Sequence, residues 1–518
     1  MDSALAGALS RSGRIVDLAY AAVVHQLGLT QRFFPQGFGR LDLIDFHQDV
    51  KQFQSWPPPH FAEQLPWKKL VEDSYGGHGY KVFKTSFRTP CQGRVYDALP
   101  AESRTAHAML ILPDRPAEGS PCVVHLAATG DHGYTRRTHL GLPLVQQGIA
   151  TLALESPYYG ERKPHYQQGA KLLHVSDLLL LGRATIEESL LLLHWLRRSG
   201  HERLGMCGLS MGGVHANMVA SLYPGPVALT PLLSPRSAAG AYCSGALYHA
   251  TAWQQIVQDL DRQEEKVLAA MRHAGRGSEL MGRARWWAEA ASPEQRAEAA
   301  AWREEARASA AAAVAATREV QAAQHATAVQ AASRADASQA AASAGSAGGE
   351  QPPSAAAATH ASRNDSIGGS SGSGAGGSSS SAHAGGSAWR WQAVGRWAER
   401  VSSELRTQMW QVETLQRGHR HEAAVLRLHE VLETYTDVTR FPKPQRTDAA
   451  VIVGAQQDAY VAPQSIMELQ QHLTGSEVRW VPGGHVTSFL LHHRSFRQAI
   501  VDSLAKLAQP PTMSSVAG

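Results

Sequence analysis

The stretch Leu204-Gly205-Met206-Cys207-Gly208-Leu209-Ser210-Met211-Gly212-Gly213-Val214 decides the fold. Leu204 to Cys207 is an uncharged run of strand length, and Val214 to Leu222 reads as the start of a helix. Between them, Gly208 to Gly212 reads G-x-S-x-G. A strand that turns sharply into a helix holds the central serine clear of the backbone, at the C-terminal edge of a sheet. Gly208 and Gly212 are needed because side chains flanking so tight a turn would collide. The same pattern recurs at Gly368 to Gly372, but Ser370 has low-complexity sequence on both sides and neither flanking element. Ser210 is therefore the candidate nucleophile, with an ordinary tight strand-to-helix turn as the alternative reading.

Working outward, short apolar runs alternate with helical segments. Val123 to Leu126, Ile149 to Leu154 and Val227 to Leu229 read as strands, and Ala184 to Arg198 as a strong helix between them. Upstream, the runs beginning at Tyr80 and at Ala108 are strand-like; downstream, Ala449 to Val453 and Glu477 to Val481 resume the pattern before a last helix, Ser495 to Leu507. Strands alternating with helices imply an α/β class, with a mostly parallel sheet covered on both faces. The pattern is interrupted between residues 253 and 435. Helix is expected at 253–345 and again at 397–435, where Trp397, Val401, Leu405, Met409 and Val412 recur at helical spacing. The Ala, Gly and Ser of 341–388 cannot bury enough apolar area to offset ordering entropy, so a disordered linker is expected there. The expected organisation is a helical lead-in at 1–60, with an amphipathic helix at Ile15 to Val24, and core at 61–260. A cap-like insertion at 261–440, core again at 441–508 and a flexible tail at 509–518 complete it.

A serine hydroxyl needs a base at neutral pH. This strand-elbow-helix setting expects the chain order Ser, then Asp or Glu, then His. Asp458 follows the strand-like Val451-Ile452-Val453-Gly454, and His485 follows Glu477 to Val481. All three candidates thus sit just beyond the C-terminal ends of expected strands, the edge where ligands bind in parallel sheets. The plainer readings are that Asp458 caps the next helix and that His485 is one loop histidine among 25. The oxyanion hole should combine the Met211 amide with one from the loop after Val123 to Leu126, where Thr129 is the first choice and Gly130 the next.

Composition narrows the classes. At ~150 residues per domain, 518 residues would allow three domains, but many of the chain's 46 glycines, with abundant Ala and Ser, lie in the interruption. Hydrophobic residues at 43% and charged residues at 18% suit a globular enzyme. A net charge of +4 without a compact basic run gives no case for nucleic acid. Cys91, Cys122, Cys207 and Cys243 show neither metal-ligand spacing nor a disulfide framework. No glycine motif stands between a strand and a helix as a phosphate cradle would, so no cofactor is expected, and no metal is expected either. His419-Arg420-His421-Glu422 reads as a solvated helix face. No run of 18 apolar residues is present, and Asp17 breaks the N-terminal apolar stretch, so neither a membrane span nor a secretory signal is expected. Arg136 and Arg162, each beside a second cation, are candidate contacts for an anionic headgroup, together with Tyr158 and Tyr159. The tryptophans of the insertion could face lipid as a lid, with peripheral membrane contact, against a plain spacer.

These residues carry a resemblance. Glu155-Ser156-Pro157-Tyr158-Tyr159-Gly160, His125 to His132, Val175-Ser176-Asp177-Leu178, Gly208 to Gly213, Asp458-Ala459-Tyr460 and Gly483-Gly484-His485 together resemble the α/β-hydrolase superfamily. Within it, they resemble the family of α/β-hydrolase domain-containing protein 18. The resemblance covers about 120–260 and 448–505, is thin before 100, and does not extend to the Ala- and Gly/Ser-rich insertion. It implies an α/β-hydrolase fold and a serine hydrolase acting through Ser210, Asp458 and His485. It further implies lipid acyl-ester chemistry at mitochondria, with cardiolipin-like phospholipids as candidates and the cytoplasm as the alternative location. Acyltransferase or thioesterase chemistry on the same residues, or a non-catalytic scaffold of the same fold, are the competing readings.

Overall fold

The computed structural model describes residues 12–23, 31–54, 65–273 and 419–510. The linker expected at 341–388, most of the helix expected at 253–345, and the proposed lid with its tryptophans lie outside the described residues.

Nine strands form one sheet in the order β1-β2-β3-β5-β4-β6-β7-β8-β9. They are β1 (Lys68–Tyr75), β2 (His78–Arg88), β3 (Thr105–Pro113), β4 (Cys122–Leu126), β5 (Ala150–Leu154), β6 (Leu204–Leu209), β7 (Ala228–Leu232), β8 (Val451–Ala455) and β9 (Glu477–Val481). The first three pair antiparallel and join β5 antiparallel; from β5 through β9 every pairing is parallel. β4 through β8 are buried along their whole length but for Leu209 at the end of β6, as a parallel sheet covered on both sides requires. β1 was not expected. Its residues are exposed throughout and mixed in charge, so neither face carries an apolar pattern to read.

Strand alternation sorts the core into two layers. Val124, Met206, Leu229 and Ile452 face one side. There they meet α3 (Val175–Arg198) and α4 (Met211–Leu222) through Leu190, Leu193, Val219 and Leu222. Val123, Cys207, Ala228 and Val451 face the other, against the last helix, whose buried stripe is Phe496, Ala499, Ile500 and Leu504. α3 runs 24 residues and starts nine positions before the expected Ala184. Asp177 accepts from the His174 amide at 2.9 Å and from the Leu173 amide at 3.1 Å, and so caps a first turn whose buried residues belong to another cluster.

That third cluster sits over the C-terminal edge. Phe33, Phe34 and Phe38, all fully buried, pack with Leu178, Leu181, Tyr242 and Leu428. The chain leaves the sheet along α5 (Trp253–His273) and returns along α6 (His419–Thr436). Arg236, just after β7, binds the returning helix at Glu433 (2.9 Å) and, with Asp437, fixes where the chain re-enters the core. His421 differs from its expected solvated face. It is buried, 2.9 Å from the Tyr248 hydroxyl and 5.3 Å from the Trp253 ring, and burial pulls its pKa down to about 4. All four cysteines are free and buried.

Three residues read as substrate contacts are instead part of this framework. Arg162 is fully buried and grips Glu188 of α3 with two bonds, of 2.6 and 2.7 Å. The second N–H of each terminal nitrogen donates to the carbonyls of Glu155 and Ser103 at 2.7 and 2.8 Å. The fork is used up holding the turn after β5 against α3. Tyr158, at φ +65°, and Tyr159 are buried in the same turn and in the third cluster, away from the cavity described below. A lone charge left in this site would be uncompensated, so Arg162→Met should lower stability by about 3–5 kcal/mol. The change is read as a reduced denaturation midpoint; an unchanged midpoint would show that the fork contributes nothing.

Candidate active site

Ser210 follows β6 directly and opens α4. Its backbone sits at φ +55°, ψ −118°, a region costly for a residue with a side chain, by about 1–3 kcal/mol. The surrounding bonds hold it there. The Ser210 amide donates to Leu232 O of β7 at 2.8 Å, and the Ser210 carbonyl accepts from Gly213 and Val214 at 2.8 and 3.2 Å. The two glycines of the motif are explained by approach distances. A Cβ on Gly208 would stand 2.1 Å from the Gly212 carbonyl carbon. A Cβ on Gly212 would stand 2.5 Å from the Leu126 carbonyl oxygen, at the end of β4. The second contact seats the elbow beside the loop that carries Thr129 and Gly130. β4 and β6 flank the point where strand order reverses, so the loop and the elbow meet at the crevice such a reversal creates. The Met211 amide lies at the open N-terminus of α4, where a helix has no earlier carbonyl to satisfy it.

Asp458 lies beyond β8 and His485 beyond β9. Their side chains meet, His485 Nδ1 to Asp458 Oδ2, at 2.7 Å. The other Asp458 oxygen accepts from the amides of Tyr460 and Val461 at 2.8 and 2.9 Å, so the carboxylate both turns its own loop and orients the imidazole. Burial pulls the His485 pKa down. The charge of Asp458, its hydrogen bond and the charge of Asp17 outweigh that and hold it above the ordinary value. Asp17, on α1 (Gly13–Ala21), was read only as a charge that interrupts an apolar stretch; it is fully buried against these same loops.

Ser210, Met211, Thr129, Gly130 and His485 all line one cavity of about 600 Å³. Asp458 stands behind His485, out of contact with the cavity, in the position of an orienting group. Between α2 (Phe46–Gln54), α3 and α4 the cavity has a mainly apolar arm, walled by Phe53, Leu178, Ile186, Val214 and Met218, with Asp49, Arg183 and His215 also in its lining. Of the four expected substrate contacts, Arg136 alone reaches the cavity, its guanidinium 5.9 Å from the Phe489 ring. Lys171 was missed. It is buried in the wall with Nζ 4.1 Å from the Phe33 ring, and burial lowers its pKa to about 7. Nothing in its local sequence, Gly169-Ala170-Lys171-Leu172, separates it from a surface lysine.

A mostly parallel sheet with a serine elbow at its switch point defines an α/β hydrolase. The model of the family described as alpha/beta hydrolase domain containing 18 matches residues 31–506, and the chain belongs to that family. Among solved structures, it is similar to an acetyl xylan esterase from Paenibacillus sp. R4, at 12% identity and a TM-score of 0.37, over 92% of this chain and 98% of that one. It is also similar to the enol-lactonase from Burkholderia xenovorans LB400, at 11% identity and a TM-score of 0.31, over 77% and 96% of the two chains.

For His485 to act as a base it would have to be neutral, so its raised pKa would carry a pH dependence. The acid limb of kcat/KM for an ester substrate should have its midpoint above the ordinary imidazole value of about 6.5. A midpoint at or below that value, measured across pH 5 to 9, would contradict the electrostatic balance around His485.

Proposed function

We propose that the chain is a serine hydrolase that cleaves an acyl ester, with Ser210, His485 and Asp458 as its triad and a lipid or phospholipid as its substrate. One observation carries the reading: Ser210 and His485 open onto the same largely apolar cavity, with Asp458 hydrogen-bonded behind His485. The fold alone does not fix an activity. In the proposed chemistry, Ser210 Oγ attacks the ester carbonyl carbon while its proton passes to His485 Nε2. Asp458 keeps the other ring nitrogen protonated and balances the imidazolium. The amides of Met211 and of Thr129 or Gly130 take the oxyanion. The tetrahedral adduct collapses, and the leaving alcohol takes the proton from His485. Water, deprotonated by His485, then attacks the acyl-serine and releases the carboxylic acid.

The lipid part of the reading rests on the cavity and its mouth. The apolar arm fits a fatty acyl chain better than a sugar-borne acetyl group. Tyr20 and Leu490 stand at its edge and are 42% and 63% exposed, as suits a chain arriving from an apolar phase. Arg136 adds a cation that would meet a phosphate, a cardiolipin-like headgroup included, and Lys171, with its pKa lowered to about 7, would be drawn to its charged form beside one. No described helix is long and apolar enough to cross a membrane, so any membrane contact through these residues would be peripheral.

A fluorophosphonate probe should label the wild-type chain and leave Ser210→Ala unlabelled. Asp458→Asn and His485→Ala should each slow labelling by about 10⁴-fold. Phospholipid vesicles should yield free fatty acid only with the wild type. Equal labelling of Ser210→Ala would sink the triad. Turnover confined to short soluble esters would remove the lipid reading, and acyl transfer to an added alcohol in preference to water would replace hydrolysis with transfer.

A further inference from the structure

We propose that Asp17, on the N-terminal helix, is a positioning residue that clamps the Asp458 and His485 loops together and so sets the orientation of His485. The inference rests on the triad reading above. The carboxylate takes three backbone N–H groups from the two loops. Oδ2 accepts from His485 at 2.6 Å and from Ala459 at 3.1 Å, and Oδ1 accepts from Val486 at 2.8 Å. Ala459 and His485 lie 26 positions apart in the chain, so one oxygen joins two loops that share no local sequence.

The helix that carries Asp17 is seated by backbone approach. A Cβ on Gly13 would lie 2.0 Å from the Gly484 amide nitrogen. The Gly13 amide donates to Gln457 Oε1 at 3.1 Å, beside Asp458. Ala21 packs with Ala246 and Ala459. The helix thus holds both loops through polar groups at one end and a small apolar contact at the other. It also lies outside residues 31–506, the part that matches the family.

The same carboxylate acts through its charge. The titratable groups that face it are Asp458 and Tyr460 from the β8 loop and His485 from the β9 loop, and Tyr20 of its own helix acts on Tyr460. Burial raises the Asp17 pKa to about 6, and the charge of Asp458 adds to that. Asp17 is therefore mainly ionised at pH 7 to 8, and its charge favours the protonated form of His485. An asparagine there can accept from two of the three N–H groups at most. Its amide would face the third donor, and the charge would be gone.

The experiment is the rate of fluorophosphonate labelling against pH, which needs no knowledge of the natural substrate. Asp17→Asn should label at least about tenfold more slowly than wild type near pH 8. Its acid limb should move to lower pH, because His485 loses a stabilising negative charge. Gly13→Ala keeps the carboxylate and favours helix, yet its methyl must push the helix off Gly484. It should show the same slowing and decides the matter if Asp17→Asn fails to fold. Ile15→Ser, on the exposed side of the helix, should label as wild type. Wild-type rates and an unmoved acid limb in folded Asp17→Asn or Gly13→Ala would overturn the proposal. Slower labelling with an unmoved acid limb would also overturn it, assigning Asp17 to folding alone. Wild type that does not label at Ser210 would instead remove the hydrolase reading, and this proposal with it.

Discussion

The site depends on one close approach: the backbone of the Ser210 elbow against the end of β4. Gly212 lies so near the Leu126 carbonyl that any side chain would force the two apart. The same glycine pair lets the turn close at Ser210's positive φ. If the elbow stood farther off, Met211 and the Thr129–Gly130 loop could not line one cavity. The elbow is strained, and its conformation holds because β7, β4 and the first turn of α4 each bond to it or press on it. Rigid surroundings of this kind let a hydroxyl be presented without reorganisation when an oxyanion forms.

Around His485 the governing constraint is electrostatic. Two buried carboxylates, Asp458 and Asp17, flank one half-buried imidazole. Buried carboxylates are costly unless hydrogen-bonded. Asp458 is satisfied by two amides and the imidazole, and Asp17 by three amides. Each carboxylate that favours the imidazolium also ties down a loop. Position and basicity of the candidate base are thus set by the same bonds.

What could be read in the sequence follows from which cues are local. The elbow was legible because glycines, an apolar strand and a helix stand within about a dozen residues of one another. Asp458 and His485 were legible because parallel strands place their following loops on one edge, so chain order and strand ends sufficed. β8 and β9 were found across the long interruption for the same reason. Asp17 was not legible as a loop clamp. Its three partners lie more than 440 positions away, and a lone acid in an amphipathic stretch reads as a polar face. Arg162 misled because a cation after two tyrosines looks like a headgroup contact, whereas its partner Glu188 sits in the middle of an apolar helix. β1 gave no apolar alternation, and the early start of α3 hid because its first turns serve a different cluster from its last.

In the proposed reaction Ser210 carries the acyl group during turnover. The direct measurement is mass spectrometry of the chain acid-quenched while it hydrolyses a phospholipid, with the modified peptide sequenced. An added acyl mass is expected on Ser210, lost on standing in buffer and absent in Ser210→Ala. Fatty acid released at full rate with no adduct, or an adduct on another residue, would contradict it.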